Sequence, residues 1–191
     1  SGEHVMVLGG GDTAMDCVRT AIRQGAASVQ CVYRRDQANM PGSPREVKHA
    51  MNEGVKFEFN TQPLRLVHEG QRLAGLEVMR TRLVADGSGR AKPEPIAGSE
   101  QVLPATALIF AFGYRASPPA WLQSIDVGTD DYGLVEMDQR LPGQTSNPAI
   151  FAAGDMVRGS DLVVTAIADA RAAALSIIEY LELQQQRRKS A

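Results

Sequence analysis

Cysteine is scarce in this sequence, with two residues in 191, and its scarcity limits the chemistry of the chain. Cys17 and Cys31 do not form a C-x-x-C pair, which argues against a redox dithiol, and they are too few for a zinc or iron–sulfur site of their own. Cys17 falls in an apolar helical pattern and Cys31 in a strand-like run. We therefore predict that both are core residues and that the chain holds no metal.

Long apolar runs and an excess of one charge are also lacking. No stretch of eighteen apolar residues is present, and the first residues do not have the basic and apolar segments of an export signal. The 20 basic and 22 acidic side chains give a net charge of −2, which attracts neither nucleic acid nor an anionic membrane. We therefore expect a cytoplasmic protein with neither of these partners.

The beginning of the chain has the pattern of a β-α-β unit. An apolar strand is predicted at 5–8, a helix at 13–24 that ends at Gly25, and a second strand at 29–33. Parallel strands joined in this way require a right-handed crossover. The sequence thus predicts an α/β fold with a Rossmann-like domain and a parallel central sheet.

The rest of the chain divides at Ser117-Pro118-Pro119 into two predicted domains, 1–115 and 116–191. The first domain is also predicted to contain a capping box at 43–46 with a helix to 52, a strand at 55–60, an antiparallel hairpin inserted at 64–83, a loop at 85–95 and a buried strand at 105–113. The second is predicted to contain weak strands near 134–137, a strand at 149–155 and a long helix at 162–183.

A glycine cluster lies between the first strand and the first helix. Gly9, Gly11 and Ala14 match G-x-G-x-x-[GA], in which the first glycine permits a sharp turn and the second lets a pyrophosphate approach the backbone. The helix start adds free N–H groups and a partial positive charge. The alternative is a tight turn whose glycines serve packing alone.

Two arginines distinguish between dinucleotides. Arg34 and Arg35 end the second strand, about 20 residues beyond the glycines, where an acidic residue would bind the ribose of NAD. Guanidinium groups there suit a 2′-phosphate and favour NADPH, the alternative being two solvated arginines.

Asp12 is expected to turn from the phosphates and bond to backbone or ribose, or else only to cap the helix. The segment 40–42 either borders the nicotinamide or is an ordinary loop.

A second candidate site follows the predicted strand "AIFAAGD". Gly154 and Asp155 end this strand, and a carboxylate in that position can accept hydrogen bonds from the hydroxyls of a cofactor. The helix that begins near Leu162 favours negative charge at its start. In isolation, an aspartate after a strand is more often a cap or turn residue.

Six segments together resemble one family: "VLGGGDTAMDC", "YRRDQANMPGS", "REVKHAMNEGVKF", "ALIFAFGYRAS", "IFAAGD" and "DLVVTAIADAR". In this order they resemble the C-terminal part of the small subunit of bacterial glutamate synthase and its relatives, flavoproteins with two dinucleotide-binding folds that are also similar to thioredoxin reductase. The resemblance implies that NADPH is bound by Gly9, Gly10, Gly11, Asp12, Thr13, Ala14, Arg34, Arg35 and Gly113. It implies that FAD is bound by Gly154, Asp155, Leu162, Val163, Val164 and Thr165, although several relatives have a larger aromatic residue at the position of Thr165.

The resemblance also implies that the FAD domain is split. Residues 116–191 correspond to its C-terminal segment, so its N-terminal half and the cysteines that bind iron–sulfur clusters are expected outside this chain. We predict the NADPH-binding portion of an oxidoreductase that passes electrons from NADPH through FAD to iron–sulfur centres, with a larger electron-accepting subunit as a possible partner. It needs no catalytic side chain, since hydride transfer is the chemistry of the cofactors. The fragment alone is expected to be inactive and not to retain FAD.

Two alternatives remain at this point. Besides the oxidoreductase portion predicted above, the chain could be an isolated nucleotide-binding module without reductase activity, or an enzyme like the pyridine nucleotide-disulfide reductases. The second alternative is disfavoured by the missing C-x-x-C pair.

Overall fold

The computed structural model describes residues 2–85, 91–138 and 140–190. The chain forms two compact units, Ser1–Gly113 and Tyr114–Ala191, which divide it close to the predicted boundary at 115. The first unit contains, in chain order, β1 (His4–Leu8), α1 (Asp12–Arg23), β2 (Ser28–Val32), α2 (Pro44–Asn52), β3 (Lys56–Glu58), β4 (Thr61–Glu69), β5 (Arg72–Val84), β6 (Lys92–Pro95), β7 (Gln101–Pro104) and β8 (Ala107–Phe110).

A parallel sheet forms the centre of the first unit, with strand order β3-β2-β1-β8. From Met6 to Leu8, β1 is buried on both faces, which is why this part of its sequence is continuously apolar. Val7 packs with buried residues of α1 and α2, whereas Met6 and Leu8 pack with Leu76 and Val78 of β5. The predicted α/β fold with a parallel sheet is therefore confirmed, and the antiparallel strands cover its second face.

The antiparallel sheet is larger than the predicted hairpin. β4 and β5 pair around the turn at Gly70, as predicted, but β5 also pairs with β6 and with β7. The predicted loop at 85–95 is therefore wrong at 92–95, and its residues 86–90 lie outside the described part of the chain. Two prolines in β6 hide its strand character, since proline is confined to edges and bulges of a sheet.

Two further predictions for the first unit are corrected. Ser43 makes no side-chain cap bond at the start of α2, and Glu46 forms an ion pair with Arg19 of α1 instead of closing the capping box. Pro44 does occupy the first helical position, as predicted. The strand predicted at 105–113 is limited to β8 at the edge of the sheet, where Phe110 is 62% exposed.

The second unit contains α3 (Trp121–Ser124), α4 (Asp155–Arg158) and α5 (Val163–Ser190), and it has a small core of Leu122, Val127, Val135 and Ala152. The strands predicted at 134–137 and 149–155 are wrong. Only isolated bridges occur there, such as the one between Gln144 and Phe151. The long helix is confirmed and extends past 183, since the glutamines and basic residues that follow are good helix formers.

Candidate functional site

A cavity of about 700 Å³ opens at the carboxyl ends of the parallel strands of the first unit. Ligands of open α/β sheets bind at this edge. The cavity brings together seven of the predicted residues: Gly9, Gly10, Gly11, Thr13, Arg34, Arg35 and Gly113. The glycine loop and the arginine pair, separate in sequence, thus face one space.

The three glycines of the loop have different reasons to be glycine. A Cβ on Gly9, whose φ is +147°, would lie 2.2 Å from the carbonyl oxygen of Ala111, so this position serves the close approach of β1 and β8. A Cβ on Gly10 would lie 2.5 Å from the ring of Tyr33. A Cβ on Gly11 would meet no atom within 4 Å, and its extended backbone suits any residue. Gly11 therefore leaves open space beside the start of α1 that the fold itself does not need.

Hydrogen bonds hold the carbonyl groups of this loop. They are accepted by Gly9 O from the Cys31 thiol at 3.3 Å, by Gly10 O from Gly42 N at 2.8 Å, and by Gly11 O from Ala14 N at 2.9 Å and Met15 N at 3.2 Å. The N–H groups of Gly11, Asp12 and Thr13, by contrast, have no acceptor among the described residues. This arrangement offers donors and a helix start to an anion.

The two arginines differ in their surroundings. Arg34 is exposed, whereas Arg35 is only 8% exposed and its Nε has no hydrogen-bond partner within the described part of the chain. A buried guanidinium Nε without a partner is costly, and an anion in the cavity would complete its hydrogen bonding. The alternative of two solvated arginines is therefore wrong for Arg35.

Asp12 is directed as the sequence predicts. Its carboxylate accepts a hydrogen bond from the backbone N–H of Ser43 at 2.9 Å, and it does not line the cavity. Ala14 is fully buried behind the loop and does not line the cavity either. Within the segment 40–42, Pro41 lines the cavity, whereas Met40 and Gly42 do not.

Several residues of the cavity were not predicted. Tyr33 precedes the arginine pair, and its hydroxyl donates to the carbonyl of Asn39 at 2.8 Å. Gln62 and Pro63 come from β4, and exposed Phe112 follows β8. Tyr33 belongs to the segment "YRRDQANMPGS", a signal that could have found it. Gln62 and Pro63 have no such signal, because only the pairing of distant strands brings them to the cavity.

One of the cavities of the second unit has a volume of about 410 Å³. It is lined by Ala153, Gly154, Asp155, Asp161, Val163, Ala166, Ile167 and Ala170. Three of the six residues predicted to bind FAD thus lie together here, with the Asp155 carboxylate exposed. Leu162, Val164 and Thr165 do not line this cavity, and the hydroxyl of Thr165 donates to the carbonyl of Leu162 at 2.6 Å.

Other site types find no support in residues 2–85, 91–138 and 140–190. No group of three or more His, Cys, Asp or Glu side chains is placed to hold a metal ion there. No helix in these ranges is long and apolar enough to span a membrane.

A parallel β-α-β sheet with a glycine loop and two arginines at its carboxyl edge defines a dinucleotide-binding fold of the Rossmann type. The sequence profile of one family, described as pyridine nucleotide-disulphide oxidoreductase, matches residues 1–170. The chain belongs to this family.

Known proteins agree with this assignment. The chain is 53% identical over 185 residues to the glutamate synthase (NADPH) small chain of Halomonas elongata, an alignment that covers 95% of this chain and 39% of that protein. Mycobacterium tuberculosis FprA, solved in complex with NADPH, matches with a TM-score of 0.79 at 18% identity over 98% of this chain and 55% of its own. Thioredoxin reductase of T. acidophilum matches with a TM-score of 0.72 at 19% identity, over 94% of this chain and 52% of its own. The last two likenesses concern the fold alone.

Proposed function

We propose that this chain is the NADPH-binding portion of a flavin-dependent oxidoreductase of the glutamate synthase small-chain type. The observation that carries the proposal is the buried guanidinium of Arg35, which lines the cavity of the glycine loop with an unpartnered Nε. A phosphate group is the ligand that suits a desolvated guanidinium beside an exposed second arginine. NADPH has such a group on its adenosine ribose, and NADH does not.

The residues of the first unit fit the remaining parts of the dinucleotide. The N–H groups at 11–13 and the start of α1 would hold the pyrophosphate, and Gly11 leaves room for it. Asp12 is tied to Ser43 and so stays out of the cavity. Gly113 and Phe112 lie at the carboxyl edge beside β8, on the opposite side of the cavity from the arginines that follow β2.

The second unit would contribute part of a flavin site. Gly154 and Asp155 line its cavity, and the exposed carboxylate is suited to accept hydrogen bonds from ribityl hydroxyls. When bound, NADPH supplies the hydride and FAD accepts it, so the protein contributes orientation and electrostatics and needs no acid or base of its own. Transfer onward to iron–sulfur centres would take place outside this chain.

We also propose that the complete enzyme contains more protein than this chain, because the chain spans 39% of the length of the Halomonas relative. α5 bears large apolar side chains that are exposed in the second unit, including Val164, Leu175, Ile178 and Leu181. The rest of a split FAD domain would cover such a surface. We place the complete enzyme in the cytoplasm, with a larger subunit as electron acceptor.

Two variants test the nucleotide assignment on the 191-residue chain. Arg34→Ala and Arg35→Met each remove a charge, and the methionine retains an apolar side chain in the buried position. Loss of a charge-assisted hydrogen bond is worth about 1.5–3 kcal/mol, so calorimetric titration should show NADP⁺ affinity reduced by about tenfold or more. NAD⁺ affinity should stay nearly unchanged.

Arg72→Ala is the matched control, since this exposed arginine of β5 does not line the cavity. It should leave both affinities unaltered. Equal losses for NADP⁺ and NAD⁺ in the Arg34 and Arg35 variants would overturn the assignment.

A nucleotide-binding module without reductase activity remains the second candidate. The lack of extended strands in the described part of the second unit favours it for this chain in isolation. The absorbance of the purified chain tests this point: a yellow protein with a flavin spectrum would contradict it.

A further inference from the structure

We propose that Thr81 is a positioning residue that determines the preference for NADPH over NADH by fixing the backbone of the arginine pair. This inference rests on the function proposed above, in which Arg34 and Arg35 bind the 2′-phosphate. Thr81 lies on β5, far along the chain from the arginines, and does not line the cavity. Its effect is therefore exerted through the residues that it holds.

Three hydrogen bonds close a ring through these residues. The Thr81 hydroxyl donates to the carbonyl of Arg34 at 2.8 Å. The Thr81 N–H donates to the carbonyl of Asn60 at 2.7 Å, and the Asn60 N–H donates to the carbonyl of Arg35 at 2.9 Å. Both arginine carbonyls are thus held from the antiparallel sheet, one directly and one through Asn60.

The backbone of this ring includes an unfavourable conformation at Asn60, which indicates that the segment around the arginine pair is constrained. Asn60 has a φ of +51°, a left-handed conformation that asparagine tolerates better than most residues. Thr81 is only 4% exposed, so its hydroxyl has no ready exchange with water. Removing that hydroxyl would leave the carbonyl of Arg34 without this donor and release one side of the ring.

The consequence should be selective because two different elements bind the two phosphate sites of the dinucleotide. The pyrophosphate would lie on the glycine loop between β1 and α1, whose hydrogen bonds do not involve Thr81. The 2′-phosphate would lie on the arginines that follow β2. A shift of the arginine backbone therefore weakens NADP⁺ binding and leaves NAD⁺ binding unaltered.

Titration calorimetry of the 191-residue chain with NADP⁺, NAD⁺ and adenosine 2′,5′-bisphosphate tests the inference. Thr81→Val replaces the hydroxyl with a methyl group of similar size. We expect its affinity for NADP⁺ and for the bisphosphate to fall by about 3- to 10-fold, with NAD⁺ affinity within about twofold of the original. Thr81→Ser retains the hydroxyl and should restore the preference.

Thr106→Val is the control. Exposed Thr106 accepts a hydrogen bond from the N–H of His4 at 2.9 Å through its hydroxyl and donates to the carboxylate of Glu3, and it precedes β8 and so lies at the opposite edge of the sheet. This variant should keep the original preference. If Thr81→Val does not fold, Thr81→Cys, with its weak S–H donor, should show a reduced ratio of NADP⁺ to NAD⁺ affinity.

The outcomes separate this inference from the proposed function. An original chain that binds NADP⁺ no more tightly than NAD⁺ overturns both. A preference that Arg35→Met abolishes but folded Thr81→Val retains overturns the role of Thr81 alone. So does a Thr81→Ser variant that loses as much preference as Thr81→Val.

Discussion

The carboxylate of Asp12 and the backbone N–H of Ser43 are joined by a hydrogen bond of 2.9 Å, which ties the start of α1 to the start of α2. Next to it, the N–H of Gly42 donates to the carbonyl of Gly10 at 2.8 Å. A Cβ on Gly42 would lie 3.0 Å from that carbonyl oxygen, so the contact is close. The segment before α2 is thus fastened to the glycine loop at two points.

Replacement of Asp12 by alanine should loosen this attachment. The variant loses a hydrogen bond to a charged acceptor and a negative charge at a helix start, so its free energy of unfolding should fall by about 1 kcal/mol. NADP⁺ affinity should fall as well, because the carbonyls of the glycine loop are then less firmly oriented. Urea denaturation and calorimetric titration measure the two effects.

Asp12→Asn separates the hydrogen bond from the charge. The amide oxygen can still accept from Ser43, and the variant places no negative charge near the phosphates. It should be more stable than Asp12→Ala and bind NADP⁺ at least as tightly as the original chain. Equal destabilisation of the two variants would show that the charge, rather than the hydrogen bond, matters.

Two glycine-to-alanine variants should have opposite effects. Gly9→Ala places a Cβ against the carbonyl of Ala111 at a positive φ, and we expect it to lower the free energy of unfolding by more than about 2 kcal/mol. Gly11→Ala meets no atom of the protein, so stability should change by less than about 1 kcal/mol while NADP⁺ binding is lost. An alanine at Gly11 that binds NADP⁺ normally would contradict the pyrophosphate assignment.

The two cysteines should react very differently with Ellman's reagent. Burial raises the pKa of the Cys31 thiol to about 12, so at pH 8 only about one molecule in ten thousand has the reactive thiolate. Cys17 is half-buried and should be labelled first. The native chain should therefore take up one label, and denaturant should be needed for the second. In a Cys17→Ser control, native labelling should be absent.

Local sequence patterns were sufficient to predict the parallel core and about half of the residues of its site. The continuous apolar run of β1, the helix that follows it and the glycines between them could be predicted because each signal lies within a few residues. The arginine pair could be placed for the same reason, since it follows the next strand of the unit within three residues. Each of these features is therefore determined by residues that are close together in the sequence.

Distant pairing explains what the sequence did not reveal. Gln62 and Pro63 reach the cavity only because β4 lies beside β2, and the link from Thr81 to Arg34 spans 47 residues. β6 escaped prediction because its two prolines resemble a loop.

The last prediction concerns acid stability. Glu53, at the end of α2, accepts hydrogen bonds from Arg23 and Arg19 of α1, and the bond from Arg23 is the largest cause that lowers its pKa below the ordinary value of a glutamate. A carboxyl whose pKa falls on folding stabilises the protein above its unfolded pKa and loses that contribution as the pH drops through the folded value. Glu53→Gln should therefore be less stable than the original chain at pH 7, and urea denaturation should show the difference shrinking as the pH drops into the range where glutamate ordinarily titrates and below it. Exposed Glu100 is the control: Glu100→Gln should differ from the original by less than about 0.5 kcal/mol at pH 7. A Glu53→Gln deficit that persists unchanged at low pH would contradict the ionic origin of the effect.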